Sequence, residues 1–297
     1  MKIYLPLYYK DFKCIAENCR HSCCIGWEIA VDKATLERYE SLPDREGILC
    51  HIKDGEISLC ENGRCPFLRA DGLCRIIADH GEDYTSVICR EHPRFYHRVG
   101  ERIEGGIGLS CEEAARIVLS SDSYAEFITA EWCGDPAEET DFDSLYYRDE
   151  IYSVLRDAEL SYPEKIINIR KIHRLPERVH TDEEWNSILG ELEYLYEEHR
   201  GLFKVGKTES RSKMHLYLER FLAYLLFRHV SIAESEGNLR ARLGFCLLLT
   251  RILENRIAEG SHDFDEISNF ARVISEEIEY SEDNTASLIF EAECLLN

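Results

Sequence analysis

The chain has 297 residues, 44% of them hydrophobic and 31% charged, which is the balance of a soluble globular protein. The formal net charge of −22 argues against nucleic acid as a partner, because phosphate binding needs a basic surface. The longest apolar run, residues 221–227, is far shorter than the ~20 residues that cross a bilayer. No apolar segment typical of an export signal follows Met1. We therefore expect a cytoplasmic protein without a membrane partner.

Charge and cysteine content divide the chain into two predicted domains. Residues 1–120 carry 16 Lys and Arg against 20 Asp and Glu, so most of the negative charge lies farther along the chain. An acidic surface attracts a cationic substrate, or it is simply well solvated. We predict a cysteine-rich metal-binding domain over residues 1–133 and an acidic helical domain over residues 134–297, with the acidic stretch 134–143 as the linker.

The predicted elements of the first domain are short. Residues 3–9 are expected to be extended, and a short helix is expected after Asp32. Ser110 has the spacing of a capping box with Glu113, which predicts a helix that passes through Val118. The sequence therefore predicts a loop-rich cysteine module.

The second domain is predicted to be an all-α bundle, which makes the whole protein mainly α. Thr181 and Glu184 form a second capping box, and apolar residues recur at helical spacing as far as Tyr196, with Gly201 as the C-terminal cap. Residues 213–232 are apolar on most faces, which predicts a central buried helix. The other predicted helices cover residues 141–158, 163–172, 238–257 and 265–280, and a last one passes through Leu288, Ile289 and Leu295.

Thirteen cysteines are the most informative feature of the sequence, and eleven of them lie in residues 14–133. In a reducing compartment metal ligation is a better expectation for them than disulfide pairing. Thiolates are soft ligands that suit Zn²⁺ or an iron–sulfur cluster, and either needs about four of them. The predicted ligands are Cys14, Cys19, Cys23, Cys24, Cys65, Cys74, Cys89 and Cys111.

Eight candidates are enough for one site with spares or for two sites of four ligands. The adjacent pair Cys23 and Cys24 is hard to place on one metal, so one of the two belongs to a second site or to none. The alternative for each cysteine is a buried thiol without a metal. Cys50 and Cys60 stay open between the two interpretations. Buried thiols are expected at Cys133, Cys246 and Cys294.

Several motifs of known chemistry are absent. Cys19 and Cys23 are not followed by a third cysteine at the spacing that radical enzymes use. The glycines of residues 105–108 lack the strand–turn–helix context of a dinucleotide-binding loop. The sequence also contains no P-loop, metalloprotease helix or nucleophile elbow.

The cysteine-containing segments resemble those of a known family. The matching segments are Phe12-Lys13-Cys14-Ile15, Cys23-Cys24-Ile25-Gly26-Trp27, Gly63-Arg64-Cys65-Pro66-Phe67-Leu68, Gly72-Leu73-Cys74, Cys89 with Pro93-Arg94, Leu109-Ser110-Cys111, and the tyrosine-rich stretch Tyr217–Tyr224. On these residues the chain resembles the flagellin lysine-N-methylase family over most of its length. The cysteine part is also similar to a wider group of zinc- or iron-chelating domains.

The resemblance implies an S-adenosylmethionine-dependent methyltransferase that acts on lysine side chains of flagellin or of a related protein or peptide. It also implies a cysteine-ligated iron–sulfur cluster of the [4Fe–4S] type, with zinc as the alternative. The chain departs from the family in two respects, because Glu112 stands where a proline usually follows Ser-Cys and because the chain is short. The resemblance therefore supports the reaction class more firmly than flagellin as the substrate.

His92 and Arg94 lie close to Cys89 in the sequence and are predicted to bind a cofactor. They could donate hydrogen bonds to cluster sulfurs or hold an anionic group, whereas Arg94 could equally form a structural salt bridge. The sequence assigns no catalytic residue. Two alternatives without methyl transfer stay open, namely a zinc-stabilised protein-interaction module and an iron–sulfur electron-transfer protein.

Overall fold

The computed structural model describes residues 2–27, 29–100, 102–132, 143–176, 180–206 and 214–293. The chain divides into two units whose sequence ranges interleave. The cysteine unit comprises Lys13–Phe95 and Cys111–Glu113, and the helical unit comprises Met1–Phe12, Tyr96–Ser110 and Ala114–Asn297. These limits differ from those of the predicted domains. The predicted boundary between residues 133 and 134 lies outside the described residues and stays a prediction.

Helices provide most of the regular structure, so the prediction of a mainly α protein is confirmed. In chain order the elements are β1 (Lys2–Pro6), α1 (Lys33–Glu40), α2 (Glu46–Leu49), β2 (Ile52–Lys53), β3 (Glu56–Ile57), α3 (Arg75–His80), α4 (Val87–Glu91), β4 (Arg94–Val99), β5 (Arg102–Ile107), α5 (Glu112–Ser120), β6 (Phe127–Glu131), α6 (Ser144–Arg156), α7 (Tyr162–Ile172), α8 (Asp182–Glu191), α9 (His215–Leu225), α10 (Glu236–Ala258), α11 (Phe264–Ile274) and α12 (Glu282–Glu293). Within the described ranges, none of these helices is both long enough and apolar enough to span a bilayer.

A four-stranded sheet in the order β4-β5-β1-β6 was only partly predicted. Strand β1 falls in the segment expected to be extended, and it pairs parallel with β5 and antiparallel with β6. The sequence did not predict β4, β5 or β6. These strands are short and carry arginine, histidine and glutamate, so they lack the apolar alternation that marks a half-buried strand.

The central buried helix is confirmed over its described residues. Helix α9 continues into a π-helical segment, Leu226–Val230, and nearly every residue from Leu218 to Val230 is buried. Helix α10 packs against α9 and α12, with Leu243, Phe245 and Leu249 fully buried. A second π-helical segment, Ser275–Glu279, extends α11. These apolar surfaces form the core of the helical unit.

Side-chain caps begin two helices where the sequence predicted them. Asp32 accepts a hydrogen bond from the Thr35 amide at the start of α1, and Thr181 accepts one from the Glu184 amide at the start of α8. The capping box predicted at Ser110 is wrong. The buried Ser110 hydroxyl has no hydrogen-bond partner among the described residues, and α5 begins at Glu112.

The helix that follows Thr181 is shorter than predicted. It ends at Glu191, and the backbone of Leu192 is extended. The buried carboxylate of Glu277 accepts hydrogen bonds from the amides of Leu195, at 2.6 Å, and Tyr196, at 3.2 Å. These tertiary hydrogen bonds satisfy amides that would otherwise continue the helix. Cys133, Cys294, Leu295 and linker residues 134–142, for which the sequence made predictions, lie outside the described residues.

Candidate metal centre

All eight predicted ligands lie in the cysteine unit, and none of them forms a disulfide. Backbone pairing, burial and mutual electrostatic interaction sort them into two sets of four. We call one set the core group, which consists of Cys24, Cys65, Cys74 and Cys89. We call the other set the loop group, which consists of Cys14, Cys19, Cys23 and Cys111.

The core group rests on the hydrophobic core of the cysteine unit. Cys65 is itself part of that core, and Cys24 and Cys74 pack against it. The amide of Cys65 donates a hydrogen bond of 2.8 Å to the carbonyl of Cys24. Leu68 and Cys74 are joined by an isolated antiparallel bridge. The backbone therefore sets three of the four sulfurs in place before any metal binds.

Helix α4 supplies the fourth member, Cys89. The hydroxyl of Ser86 caps this helix and accepts a hydrogen bond from the Cys89 amide at 3.4 Å. Asp32, the cap of α1, also accepts a hydrogen bond from the Val87 amide at 3.0 Å. One carboxylate therefore ties together the first turns of α1 and α4, and α4 holds Cys89 within electrostatic range of Cys24 and Cys74.

Three thiols of the core group, those of Cys65, Cys74 and Cys89, have raised pKa values. Burial raises the pKa of Cys65 to about 12, and the charges of its three partners add to that rise. Burial likewise raises the pKa values of Cys74 and Cys89, and the charge of Cys24 adds to both. Four close thiols cannot all ionise without a compensating cation. Their chemistry therefore suits a metal centre, which binds thiolates and neutralises them.

The loop group lies on more exposed chain. Cys14 and Cys23 are exposed, and Cys19 and Cys111 are half-buried. Burial raises the pKa of Cys19 to about 11, and the charge of Glu112, followed by that of Cys111, adds to that rise. The hydrogen bond with Cys24 raises the pKa of Cys23, followed by burial and by the charges of Cys111 and Cys14. These interactions place the four thiols of the loop group near one another.

Glu112 holds the two halves of the loop group together. Its carboxylate accepts hydrogen bonds from the Arg20 amide at 2.7 Å, from Arg20 Nε at 2.7 Å and from the His21 amide at 3.1 Å. The same carboxylate lies 3.6 Å from the Cys19 sulfur. Burial alone raises the pKa of Glu112, but the hydrogen bonds and charge of Arg20 outweigh it and lower that pKa below its usual range. Glu112 is therefore a charged clamp between the segment at Cys19 and the residue that follows Cys111.

The adjacent pair Cys23 and Cys24 connects the two groups. The Cys23 thiol donates a hydrogen bond to the Cys24 sulfur, which lowers the pKa of Cys24 to about 7. Burial opposes this change, whereas a hydrogen bond with Ser22 and the positive charge of Arg64 add to it. The difficulty of placing both cysteines on one metal therefore has a structural answer, because each belongs to a different set of four.

Four thiolates are the ligand set of a structural Zn²⁺ ion and of an iron–sulfur cluster alike, so the ligand number of each group does not choose between the two metals. Across the described ranges, the set of three ligand atoms found within 4.8 Å of one another is His199, Glu276 and Glu277.

The His199, Glu276 and Glu277 set belongs to the helical unit, and its carboxylates already have partners. Glu276 accepts a hydrogen bond from Arg272 at 2.8 Å. Glu277 accepts one from His199 at 2.6 Å besides the two backbone amides described above. These hydrogen bonds account for the buried acids without a metal ion.

The remaining cysteines divide as follows. Cys50 and Cys60 are exposed and belong to neither group. Cys246 is fully buried in α10, which confirms the prediction of a core thiol. Cys133 and Cys294 lie outside the described residues.

His92 and Arg94 flank Pro93 directly after α4. His92 is the C-cap of that helix, and burial lowers its pKa to about 4, so the imidazole is neutral at pH 7. Arg94 donates a hydrogen bond of 3.4 Å to the Arg90 carbonyl and begins β4. The role of both residues in cofactor binding stays a prediction.

Sequence reasoning missed three residues that shape the site. The buried Tyr39 lies within electrostatic range of Cys65, Cys74 and Cys89, and burial followed by these charges raises its pKa. Arg64 provides a positive charge near Cys24. Arg20 binds Glu112. Arg64 lies in a segment that resembles the family, and Glu112 departs from the family pattern, but neither signal indicated these contacts.

The chain is similar in sequence to three bacterial proteins of known name. The lysine-N-methylases of Salmonella choleraesuis and Salmonella typhimurium are each 32% identical to it over 133 residues, which are 40% of this chain and 33% of each relative. The flagellar biosynthetic protein FliU of Salmonella muenchen is 31% identical over 133 residues, which are 40% of this chain and 79% of FliU. The chain belongs to the lysine-N-methylase and FliU family. The resemblance seen in the sequence is thus confirmed at the level of the family.

The matched region spans about one third of the length of the lysine-N-methylases. No family model and no solved structure matches the chain. Membership of the lysine-N-methylase and FliU family therefore rests on the curated relatives, whereas the two cysteine groups rest on the geometry of this chain.

Proposed function

We propose that this chain is an S-adenosylmethionine-dependent methyltransferase that acts on lysine side chains of flagellin or of a related protein or peptide. The observation that carries the proposal is its similarity to proteins named lysine-N-methylase. The name of the FliU relative, a flagellar biosynthetic protein, favours flagellin as the first substrate to test. We further propose that the cysteine groups bind iron–sulfur clusters of the [4Fe–4S] type.

The choice of iron over zinc follows from the resemblance to the lysine-N-methylase family. Each group offers four thiols, a ligand number that fits a [4Fe–4S] cluster and a zinc ion equally. When bound, such a cluster supplies iron ions that accept electron pairs and change oxidation state, and it cross-links the loops that hold it.

Methyl transfer to lysine is a displacement at a sulfonium methyl group. The lysine nitrogen forms a bond to the methyl carbon while the bond from that carbon to sulfur breaks, and S-adenosylhomocysteine leaves. The attacking amine must be neutral, so a lysine with an ordinary pKa of about 10.4 must first lose a proton to a base or to water. The protein accelerates this reaction mainly by aligning the nitrogen with the methyl carbon.

The charge of the chain suits a cationic substrate. The net charge of −22 attracts a lysine-bearing protein, and this attraction weakens with added salt. His92 and Arg94, which follow the helix that bears Cys89, are our candidates for contact with the cofactors. A neutral imidazole such as that of His92 has one nitrogen that donates a hydrogen bond and one that accepts.

A methylation assay tests the proposal. The full chain, purified without oxygen, is incubated with S-adenosylmethionine and either flagellin or lysine-containing peptides, and the products are analysed by mass spectrometry. We expect lysine residues to gain the mass of a methyl group, and we expect Cys65→Ser to lose the activity while Cys50→Ser keeps it. The proposal is wrong if protein with its metal intact transfers no methyl group to any lysine substrate.

A further inference from the structure

We propose that the core group and the loop group bind two separate metal centres, and that Glu112 is the positioning residue of the second. The inference rests on the metal-binding part of the proposed function and not on methyl transfer. The simpler alternative is a single centre that leaves four of the eight thiols without a metal.

The two groups depend on different parts of the fold. The core group is fixed by the hydrophobic core, by the Cys24–Cys65 backbone hydrogen bond and by the capped helix α4. The loop group has no member in that core. It depends instead on a short 3₁₀ turn, Ala16–Asn18, and on the Glu112 clamp. A set of ligands with its own supports can bind and lose metal independently of the other set.

Backbone contacts follow the same division. The Cys65 amide donates a hydrogen bond to the Cys24 carbonyl within the core group, and Glu112, which follows Cys111, accepts hydrogen bonds from the Arg20 and His21 amides between Cys19 and Cys23 of the loop group. The contact between Cys23 and Cys24 joins the sets, and it is a contact between neighbours in sequence. Each set thus contains the four thiols that one centre requires.

Exposure predicts different reactivity for the two centres. Two members of the loop group, Cys14 and Cys23, are exposed. In the core group Cys89 is exposed, but Cys65 is buried and Cys24 and Cys74 are packed against apolar side chains. Chelators and small molecules therefore reach the loop centre more easily. We infer that the core centre stabilises the cysteine unit and that the loop centre is the one open to reagents.

Glu112 has the contacts of a positioning residue. It accepts hydrogen bonds from the amide and the guanidinium of Arg20, and the Cys19 thiol donates a third to it at 3.6 Å. Hydrogen bonds to a charged acceptor are stronger than neutral ones, so an amide in this position would hold the segment less firmly. Loss of a supporting group of this kind typically lowers metal affinity about 10-fold to 100-fold.

Metal analysis of the full chain after anaerobic reconstitution with iron and sulfide tests the two-centre arrangement. We expect wild-type protein to bind the iron and sulfide of two clusters, and Cys111→Ser and Cys14→Ser each to retain half of both. Cys65→Ser should lose the other half, and Cys50→Ser should lose nothing. The arrangement is overturned if wild-type protein binds one cluster, or if Cys111→Ser removes all the metal from protein whose circular dichroism shows it folded.

Release of iron to a chelator tests the role of Glu112. Wild-type protein should release half of its iron in a fast phase, and Glu112→Gln should accelerate that phase about 10-fold or more without changing the slow phase. Glu17→Gln, which removes the same charge from an exposed position in the Cys14–Cys19 segment, is the matched control and should behave as wild type. Equal rates in Glu112→Gln and Glu17→Gln would contradict the positioning role.

The two proposals can fail separately. Two clusters without any methyl transfer would remove the proposed enzyme activity and leave the two centres. One cluster with active methyl transfer would remove the second centre and leave the enzyme.

Discussion

Glu104 lies on β5 with no exposed surface, although it is a charged residue. Its carboxylate contacts Arg148 at 2.5 Å and Arg102 at 2.7 Å. Burial alone would raise the pKa of Glu104, but His97, at 3.7 Å, and the two arginine charges hold it at about 2. Arg148 is equally buried and donates a second hydrogen bond to the Ser231 hydroxyl. The helical unit therefore contains a buried ionic network in its core.

Breaking this network should be costly. Glu104→Gln leaves the buried guanidinium of Arg148 without its ionic partner, and we expect the free energy of unfolding to fall by about 3 to 5 kcal/mol. Denaturant unfolding measures this difference. Asp149→Asn is the control, because Asp149 is largely exposed at 3.8 Å from Arg148 and should change stability by less than about 1 kcal/mol. Equal effects of the two substitutions would contradict the role given to Glu104.

The same buried acids predict how stability depends on pH. Burial raises the pKa of Glu279. The charge of Arg228 and the hydrogen bond with His229 lower it by more, so the net pKa is about 2. A carboxyl group with a depressed folded-state pKa adds stability above its unfolded-state value of about 4.5, and this stability is lost as the pH falls towards 2. We therefore expect the free energy of unfolding to fall steeply between about pH 5 and pH 2.

Unfolding measured across that range, in wild type and in Glu104→Gln, tests the linkage. The substitution removes one of the depressed carboxyl groups, so its pH dependence should be shallower than that of wild type. Parallel curves for the two proteins would show that Glu104 does not titrate as described.

At the scale of single residues, the sequence predicted the eight candidate ligands but not their grouping. Thiolate chemistry and short spacing pointed to Cys14, Cys24 and the other six. The division into two groups depends on which backbone segments pair. Cys24 pairs with Cys65, about forty residues later, and the spacing of cysteines in the sequence does not reveal such pairing. The roles of Arg20 and Tyr39 were missed for the same reason, since their partners are distant in sequence.

At the scale of elements, the loop that contains Gly72 supports the loop group. Gly72 has a positive φ of 82°, and a Cβ atom at this position would lie 3.2 Å from the Glu17 Cα. Glu17 lies between Cys14 and Cys19. The glycine is therefore required both by its backbone conformation and by the close approach of the ligand-bearing segment.

Gly72→Ala should displace that segment and weaken metal binding by the loop group. Gly55→Ala is a matched control, because Gly55 has a similar φ of 85° but no neighbouring atom within 4 Å of the position that a Cβ would take. Both substitutions carry a conformational cost of about 1 to 2 kcal/mol. Iron content after reconstitution should fall only in Gly72→Ala, and an equal fall in both variants would contradict the role given to this contact.

Helices were easier to predict than strands. Capping residues such as Asp32 and Thr181 act through local hydrogen bonds, so their effect is visible in the sequence. Strand β5 is recognisable only in the fold, because its buried glutamate is neutralised by arginines from β5 itself and from α6. The end of α8 depends in the same way on Glu277, which comes from a distant π-helical segment.

At the scale of the whole molecule, composition predicted a mainly α, acidic protein with its cysteines concentrated in one part. The interleaved ranges of the two units could not be predicted. They arise because β1 pairs with β5 and β6, which places residues before Lys13 in the helical unit. The relatives extend this description to a family, and the proposed activity follows from their names and from the chemistry of thiolate sites.

The visible absorption spectrum of the full chain, purified without oxygen and assayed alongside for iron and acid-labile sulfide, tests the central claim most directly. We predict a brown protein with broad visible absorption and with iron and sulfide in equal amounts, which is the result expected of the proposed iron–sulfur clusters. A colourless protein with stoichiometric zinc and no sulfide would contradict this claim.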